Sequence, residues 1–457
     1  MSQAAPRSFA RLTALLIGAI CVLAMTMFVP TAGAAAPDSR TVKYGSLSLQ
    51  VPASWSVVKL DGTRECVRLD RDAVYLGAAP AQQDCPAHAV GRGNTIWLRP
   101  GDQAPKGSTS ERVGGLSMAA GPRERANSRV AVSAERNVTI ESAWGTSSAT
   151  VDAALATLRS DASTSPPART SQQRTQSAQQ AQSAQAAPTT TVAPTGAPFT
   201  GMGMDTCAAP SAATMNAWGA SPYRAVGIYI GGSMRACPDG NLNASWISTV
   251  SRAGWGVIPI YVGPQAPCVQ QGNLATIDPT EAAAQGTANA QDAIAKARSF
   301  GLPAGSPIYY DMEHYVGTTT CTTAVLDFLT AWTNTLHQAG FRSAVYGNSN
   351  SLLRDLSVAI TTGRPNYVAP DQIWYAQWDY KQTLDGSPYV PEFRSDYWAQ
   401  HQRMKQYSGG VTETWGGVSM NVDQNWIDTY LPGNATNVAY GDLTTGPGGA
   451  GFVSPAR

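Results

Sequence analysis

Between residues 199 and 432 short apolar runs alternate with longer amphipathic stretches. Strand-forming runs lie at 201–206, 225–231, 256–262, 307–312, 343–347, 372–377, 404–407 and 418–423. Helical spacing fits 212–218, 244–253, 279–300, 322–339 and 351–360, between most of those strands. Apolar strands alternating with helices predict parallel strands joined by crossover helices. Eight strands in one such span match a closed (β/α)8 TIM-like barrel better than an open sheet. The Gly-rich connection 408–417 is too short and irregular for a standard helix, so the closing unit is expected to be imperfect.

The upstream pattern differs. Residues 41–160 alternate at period two, as in Leu47-Ser48-Leu49-Gln50-Val51, with further strands at 73–76, 95–98 and 130–140 and a helix at 150–158. This predicts a small α+β domain, and it holds no constellation with legible chemistry. Residues 161–198 collapse to Ser, Gln, Ala, Thr and Pro and read as a flexible linker; a long helix is the alternative, but no apolar stripe supports it. Residues 433–457 form a polar, Gly-rich tail. At the start, Arg7 and Arg11, the apolar run 12–29 and Ala32-Gly33-Ala34 or Ala34-Ala35-Ala36 make residues 1–36 a signal peptide. A retained anchor is the alternative, which the small-residue cleavage site argues against. No later stretch has the roughly 18 apolar residues of a membrane span, so the mature chain is expected to be secreted or held in the cell envelope.

Cleavage would remove Cys21 and leave six cysteines, an even number in an exported chain. Cys66 and Cys85 pair naturally in the first region. Three pairings are open to Cys207, Cys237, Cys268 and Cys321, of which Cys207–Cys237 and Cys268–Cys321 are favoured. The four His are dispersed and no C-x-x-C occurs, so neither a metal site nor a cofactor is expected. A net charge of +1 offers no electrostatic case for nucleic acid. With 14% charged residues, a monomer with a neutral, polar surface is expected, suited to an uncharged polar ligand.

Candidate chemistry gathers at the strand ends. Asp311 and Glu313, in Tyr309-Tyr310-Asp311-Met312-Glu313, share a strand face with Cα atoms roughly 6.5 Å apart. Carboxylates so close repel, which tends to keep one protonated and the other ionised, the division that acid-assisted glycosidic cleavage requires. Glu313 is expected to hold the proton and Asp311 to stay ionised. In a barrel, Asp205 and Asp423 reach the same rim from the first and last strands, as do Gln377, Gln406 and Tyr407. Each acid alone could be a helix cap; four on one rim are harder to explain that way. Nine of twelve Trp and fourteen of seventeen Tyr lie in 199–432. Trp218, Trp246 and Trp332 read as core, whereas Tyr229, Tyr310, Tyr346, Trp378 and Tyr407 sit beside the acids, where aromatic planes could meet sugar rings.

Met204-Asp205-Thr206-Cys207, Gly227-Ile228-Tyr229-Ile230-Gly231-Gly232, the Asp311–Glu313 strand and Val345-Tyr346-Gly347 resemble a glycoside-hydrolase-like family, domain-of-unknown-function family 1906. Trp374-Tyr375-Ala376-Gln377-Trp378, Lys405-Gln406-Tyr407 and Val422-Asp423-Gln424-Asn425 continue the likeness, which is similar, more distantly, to the family 25 lysozymes. The resemblance covers about half the chain. It implies a barrel with a site on its C-terminal rim, Glu313 as general acid, Asp311 as its partner, and Asp205 and Asp423 as the acids of the first and last strands. His314 and Tyr315 after Glu313 and Cys207 after Asp205 depart from the lysozyme pattern. The expected activity is hydrolysis of peptidoglycan or another envelope polysaccharide. Glycan binding without turnover is the alternative, and a structural envelope protein is a third reading.

Overall fold

The computed structural model describes residues 38–123, 127–160, 192–272 and 274–433. The expected signal peptide, residues 161–191 of the expected linker and residues 434–457 of the expected tail lie outside the described residues. From Ser39 onward the chain clusters as one compact unit.

The first region holds ten strands, one short α-helix and a single 3-10 turn at Ala134–Arg136 among its described residues. β1 (Ser39–Tyr44) and β2 (Leu47–Pro52) form a hairpin, with β2 burying Leu47, Leu49 and Val51 on alternate positions. β3 (Ser56–Lys59), β4 (Ala73–Leu76) and β5 (Thr95–Pro100) run parallel and begin a seven-stranded sheet. Its other members are β6 (Thr109–Val113), β7 (Leu116–Ala120), β8 (Ser128–Ser133) and β9 (Val138–Ala143), in the order β3-β4-β5-β9-β8-β7-β6. Helix α1 (Ala149–Ala156) leads to β10 (Arg159–Ser160), which joins β2 in a three-stranded sheet. Val67 and Leu69, from the connection between β3 and β4, pack together with Tyr75 and Trp97.

The second region is a closed barrel of eight strands. They are β11 (Pro198–Asp205), β12 (Tyr223–Gly231), β13 (Gly256–Tyr261) and β14 (Pro307–Met312). The second half is β15 (Arg342–Asn348), β16 (Gln372–Ala376), β17 (Gln402–Trp415) and β18 (Val418–Tyr430). Crossovers carry α2 (Ala212–Ala217), α3 (Ala244–Arg252), α4 (Ala282–Ser299), α5 (Thr319–Gln338) and α6 (Arg354–Thr361). Ser211, Asn243 and Thr318 cap α2, α3 and α5 by accepting the backbone N–H three residues on. Period two sorts each strand. Tyr229, Tyr309, Tyr346, Trp374 and Met404 fill the barrel interior, while Ile228, Ile308, Tyr310 and Met312 pack outward on helices, including Phe328 and Trp332 of α5.

The regular (β/α)8 alternation is not completed. β11 to β17 are parallel neighbours in turn, but β18 runs antiparallel to both β17 and β11. Most of the expected loop 408–417 is strand, and the chain reverses at Gly416-Gly417, with φ of 57° and 79°. Positive φ at both central residues matches the twist of a tight hairpin, and glycine adopts it without a Cβ clash. Asp423 therefore does not end its strand. It lies in mid β18, in direct register with Asp205.

Three disulfides are present: Cys66–Cys85, Cys207–Cys237 and Cys268–Cys321. The first two pack against each other with Ala89 and Ala236, at the boundary between the β4–β5 segment and the barrel.

Candidate active site

The C-terminal mouth of the parallel strands gathers all four acids. Asp205 ends β11, and its cross-strand pairing with Asp423 places both side chains on one face. Gly227 stands opposite Asp205 on β12, where an added Cβ would lie 2.6 Å from the Asp205 Cβ. Its bare backbone makes room for the carboxylate. Asp311 lies within β14 and Glu313 just beyond its end. Gln265, fully buried, secures that exit: its Nε2 donates to Asp311 O at 2.9 Å, and its Oε1 accepts from Glu313 N at 2.7 Å.

Gln406 joins the two halves. Its Nε2 faces Asp205 Oδ2 at 3.2 Å and Asp423 Oδ2 at 3.3 Å, and its Oε1 accepts from Tyr346 OH at 2.9 Å and Trp378 Nε1 at 3.0 Å. Asn425 Nδ2 donates to Asp205 Oδ2 at 2.7 Å, while its Oδ1 accepts from Trp374 Nε1 at 2.9 Å. The Gly410 amide donates to Asp423 Oδ1 at 2.6 Å. Tyr229 OH donates to Asp311 Oδ2 at 3.1 Å. Gln377 borders the group, its amide N–H donating to Gln406 O at 3.0 Å and its Oε1 accepting from Ser349 Oγ. Trp378 lies across Gly409 and is 56% exposed, a flat aromatic surface beside the acids.

Two residues expected at the site point elsewhere. Tyr310 is one residue from Asp311, so it faces the opposite side; its ring packs on Phe328 and Trp332 and its OH donates to Pro264 O at 2.7 Å. Tyr407 likewise follows Gln406 outward. Its OH accepts from Gln382 Nε2 at 3.2 Å, in a groove of about 500 Å³ shared with Tyr380 and Trp415.

The residue that sequence reasoning missed is His88, from the segment between β4 and β5. Its Nε2 lies 2.7 Å from Glu313 Oε1 and its Nδ1 2.9 Å from Tyr229 OH. The sequence carries one faint signal for it: one of only four histidines sits three residues after a cysteine, in a Pro/Gly-rich stretch. Ligand atoms of His88, Asp205 and Asp423 lie within 4.8 Å of one another, and so do those of His88, Asp311 and Glu313. Either nitrogen-and-carboxylate set could coordinate a divalent cation, but each shares His88, whose Nε2 already engages Glu313.

The protonation pattern reverses the expectation. Burial works against a charged His88, but Glu313, then Asp311 and Asp423, outweigh it and push its pKa up to about 10. Burial also opposes charge on Glu313, yet the His88 cation and its hydrogen bond hold that carboxyl below its usual range. Asp311 is raised well above the usual range by burial and then by Glu313. Glu313 is thus the ionised member and Asp311 the protonated one. Asp205 is raised by burial and by Asp423, and burial raises Asp423.

This arrangement can hold a positive charge at the barrel mouth and pass a proton within the Asp311–Glu313–His88 group. Residues 216–427 match the Rv2525c-like, glycoside hydrolase-like domain. The glycoside hydrolase-like domain so delimited runs from α2 into β18, leaving Asp205 and His88 outside the matched range. Among solved structures the chain is similar to the Tat-secreted protein Rv2525c of Mycobacterium tuberculosis in complex with L-tartrate. Identity is 19% over 50% of this chain and 96% of that one, with a TM-score of 0.35. It is also similar to a family 25 glycosyl hydrolase from Bacillus anthracis, at 14% identity over 50% and 88% of the two chains, TM-score 0.31. A third is the modular autolysin LytC from Streptococcus pneumoniae in complex with synthetic peptidoglycan ligand, at 17% identity over 49% and 46%, TM-score 0.32. No curated protein matches the chain.

Proposed function

We propose that this is an exported protein whose TIM-like barrel, with a reversed last strand, binds an envelope glycan such as peptidoglycan and cleaves it with acid assistance. One observation carries the reading: four carboxylates from three strands converge on one barrel mouth, with Asp311 and Glu313 on the same face. Glu313, at the edge and 20% exposed, is the group placed to reach a glycosidic oxygen; Asp311 lies fully buried behind it. Parting Glu313 from His88 removes the cation that keeps it ionised, and burial then favours the protonated form an acid needs. Asp423, whose charge is part of what raises Asp205 and whose Oδ1 accepts from the Gly410 amide, supplies negative potential for the positive charge that builds on the sugar ring. Gln406, Gln377 and exposed Trp378 suit sugar hydroxyls and a ring face. The disulfides fit an extracytoplasmic location.

The His88–Glu313 contact favours a second reading, in which the barrel binds glycan without turnover. Glu313→Gln separates the two. As a hydrolase, the variant should lose nearly all release of reducing ends from peptidoglycan while retaining glycan binding. Full activity in that variant removes Glu313 from the acid role, and a wild type that binds but never cleaves favours the second reading.

A further inference from the structure

The region with no legible chemistry of its own supplies the side chain that occupies Glu313. The segment 77–94 leaves the seven-stranded sheet after β4, crosses the barrel mouth and returns to β5. It is tied down on both sides of His88. The Ala87 amide donates to Asn421 Oδ1 at 2.7 Å, Val90 forms a β-bridge with Arg235, and the Gly91 amide donates to Met234 O at 2.7 Å. Val90 packs into the interior cluster beside Tyr229 and Met234, and Cys85 is held through its disulfide against Cys207–Cys237.

We propose that residues 85–92 are a built-in strap that closes the barrel mouth, with the His88 imidazole standing where the reacting sugar of a glycan would sit. This rests on the glycan reading above. Two physical arguments support it. A glycosidic oxygen must come within hydrogen-bonding distance of Glu313 to be protonated, and His88 Nε2 holds that place on Oε1 at 2.7 Å. The second argument is electrostatic. A ring bearing positive charge against ionised Glu313, with Asp423 also within reach, satisfies the field that an oxocarbenium-like sugar would otherwise satisfy. His88 is thus an internal stand-in for the charged ring. The strap is an irregular segment rather than a paired strand at this residue, and His88 keeps 26% of its side-chain surface exposed. Its neighbours anchor it, so losing the imidazole leaves the crossing in place.

The test uses the full chain with His88→Ala and His88→Gln, both checked for an unchanged melting temperature. Binding of a β-1,4-linked N-acetylglucosamine hexamer is measured by calorimetry and reducing-end release from peptidoglycan in parallel. His88→Ala should bind at least about tenfold more tightly, the order expected when a competing charge-assisted hydrogen bond is removed. His88→Gln, which keeps a donor without the charge, should fall between. Equal or weaker binding, or lower hydrolysis, in a folded His88→Ala protein overturns the strap. If no form binds or cleaves any glycan, the glycan reading fails, and carbodiimide labelling of Glu313 with glycine ethyl ester still decides the strap. Labelling should appear in His88→Ala and be suppressed in the wild type; equal protection in both refutes it.

Discussion

Asn425 offers a sharp check on the electrostatics of the mouth. It is fully buried, donates to Asp205 Oδ2 at 2.7 Å and accepts from Trp374 Nε1 at 2.9 Å. Asn425→Asp is isosteric and puts two carboxyl oxygens 2.7 Å apart, so the new carboxyl and Asp205 must hold a proton between them to stay in place. While protonated it keeps the bonds to Asp205 and Trp374 and gives up only the long 3.5 Å contact of the amide to Asp423 O, so the variant should come close to wild type near pH 4. An acid whose folded pKa is raised carries no penalty below its unfolded value, about 3.9, and loses stability as pH climbs above it. At about 1.4 kcal/mol per pH unit, the loss at pH 7 has a ceiling of about 4 kcal/mol, reached if the proton is held throughout. Urea denaturation of both proteins at pH 4, 5.5 and 7 reads the difference directly, with an unchanged m-value as the control for two-state behaviour. A stability difference that is the same at pH 4 and pH 7 refutes the reasoning, because it would mean no proton is coupled to folding at this position.

Two further effects follow from packing and chain topology. Gly227→Ala should cost about 1–3 kcal/mol in thermal or urea melts, because its Cβ would sit 2.6 Å from the Asp205 Cβ on a paired strand; a neutral substitution would mean the strands part more easily than the register implies. Replacing both Cys268 and Cys321 by Ser opens a crosslink between residues 53 apart and should lower stability by about 4 kcal/mol in the loop-entropy model, measured by urea denaturation against the oxidised parent.

The alternation of apolar strands and amphipathic helices made the eight strands readable, since burial on both faces of a parallel strand leaves a compact apolar run in sequence. Asp205, Asp311 and Glu313 stand at or beside the ends of such runs and could be picked out there, whereas Asp423 lies in mid β18. Strand direction was not readable, as period two is the same read either way. Ser408 to Trp415 looked like a loop because its side chains are largely polar, although Gly416-Gly417 was a turn signal that a hairpin would have used. Tyr310 was misplaced although parity already argued against it: it alternates with Asp311 and had to face the helices. His88 could not be derived at all. It lies 225 residues from Glu313, and no local pattern encodes which loop will cross a barrel mouth. With it went the protonation order, which depends on that one cation.

The reversed β18 has a consequence for the order in which the molecule comes together. Its eight-residue register with β11 joins Pro198 to Tyr430 at one end and Asp205 to Asp423 at the other. Contacts so distant along the chain form late, after loop-closure entropy has been overcome. Until then β11 has one unpaired edge, and Asp205 lacks Asp423, Gln406 and Asn425 together. The strands emerging earlier can pair in sequence, each with its predecessor, but none of them completes the cluster of acids. As the chain is made from its N-terminus, the charged mouth is a product of the final hairpin, and the segment 77–94 is already there to meet it.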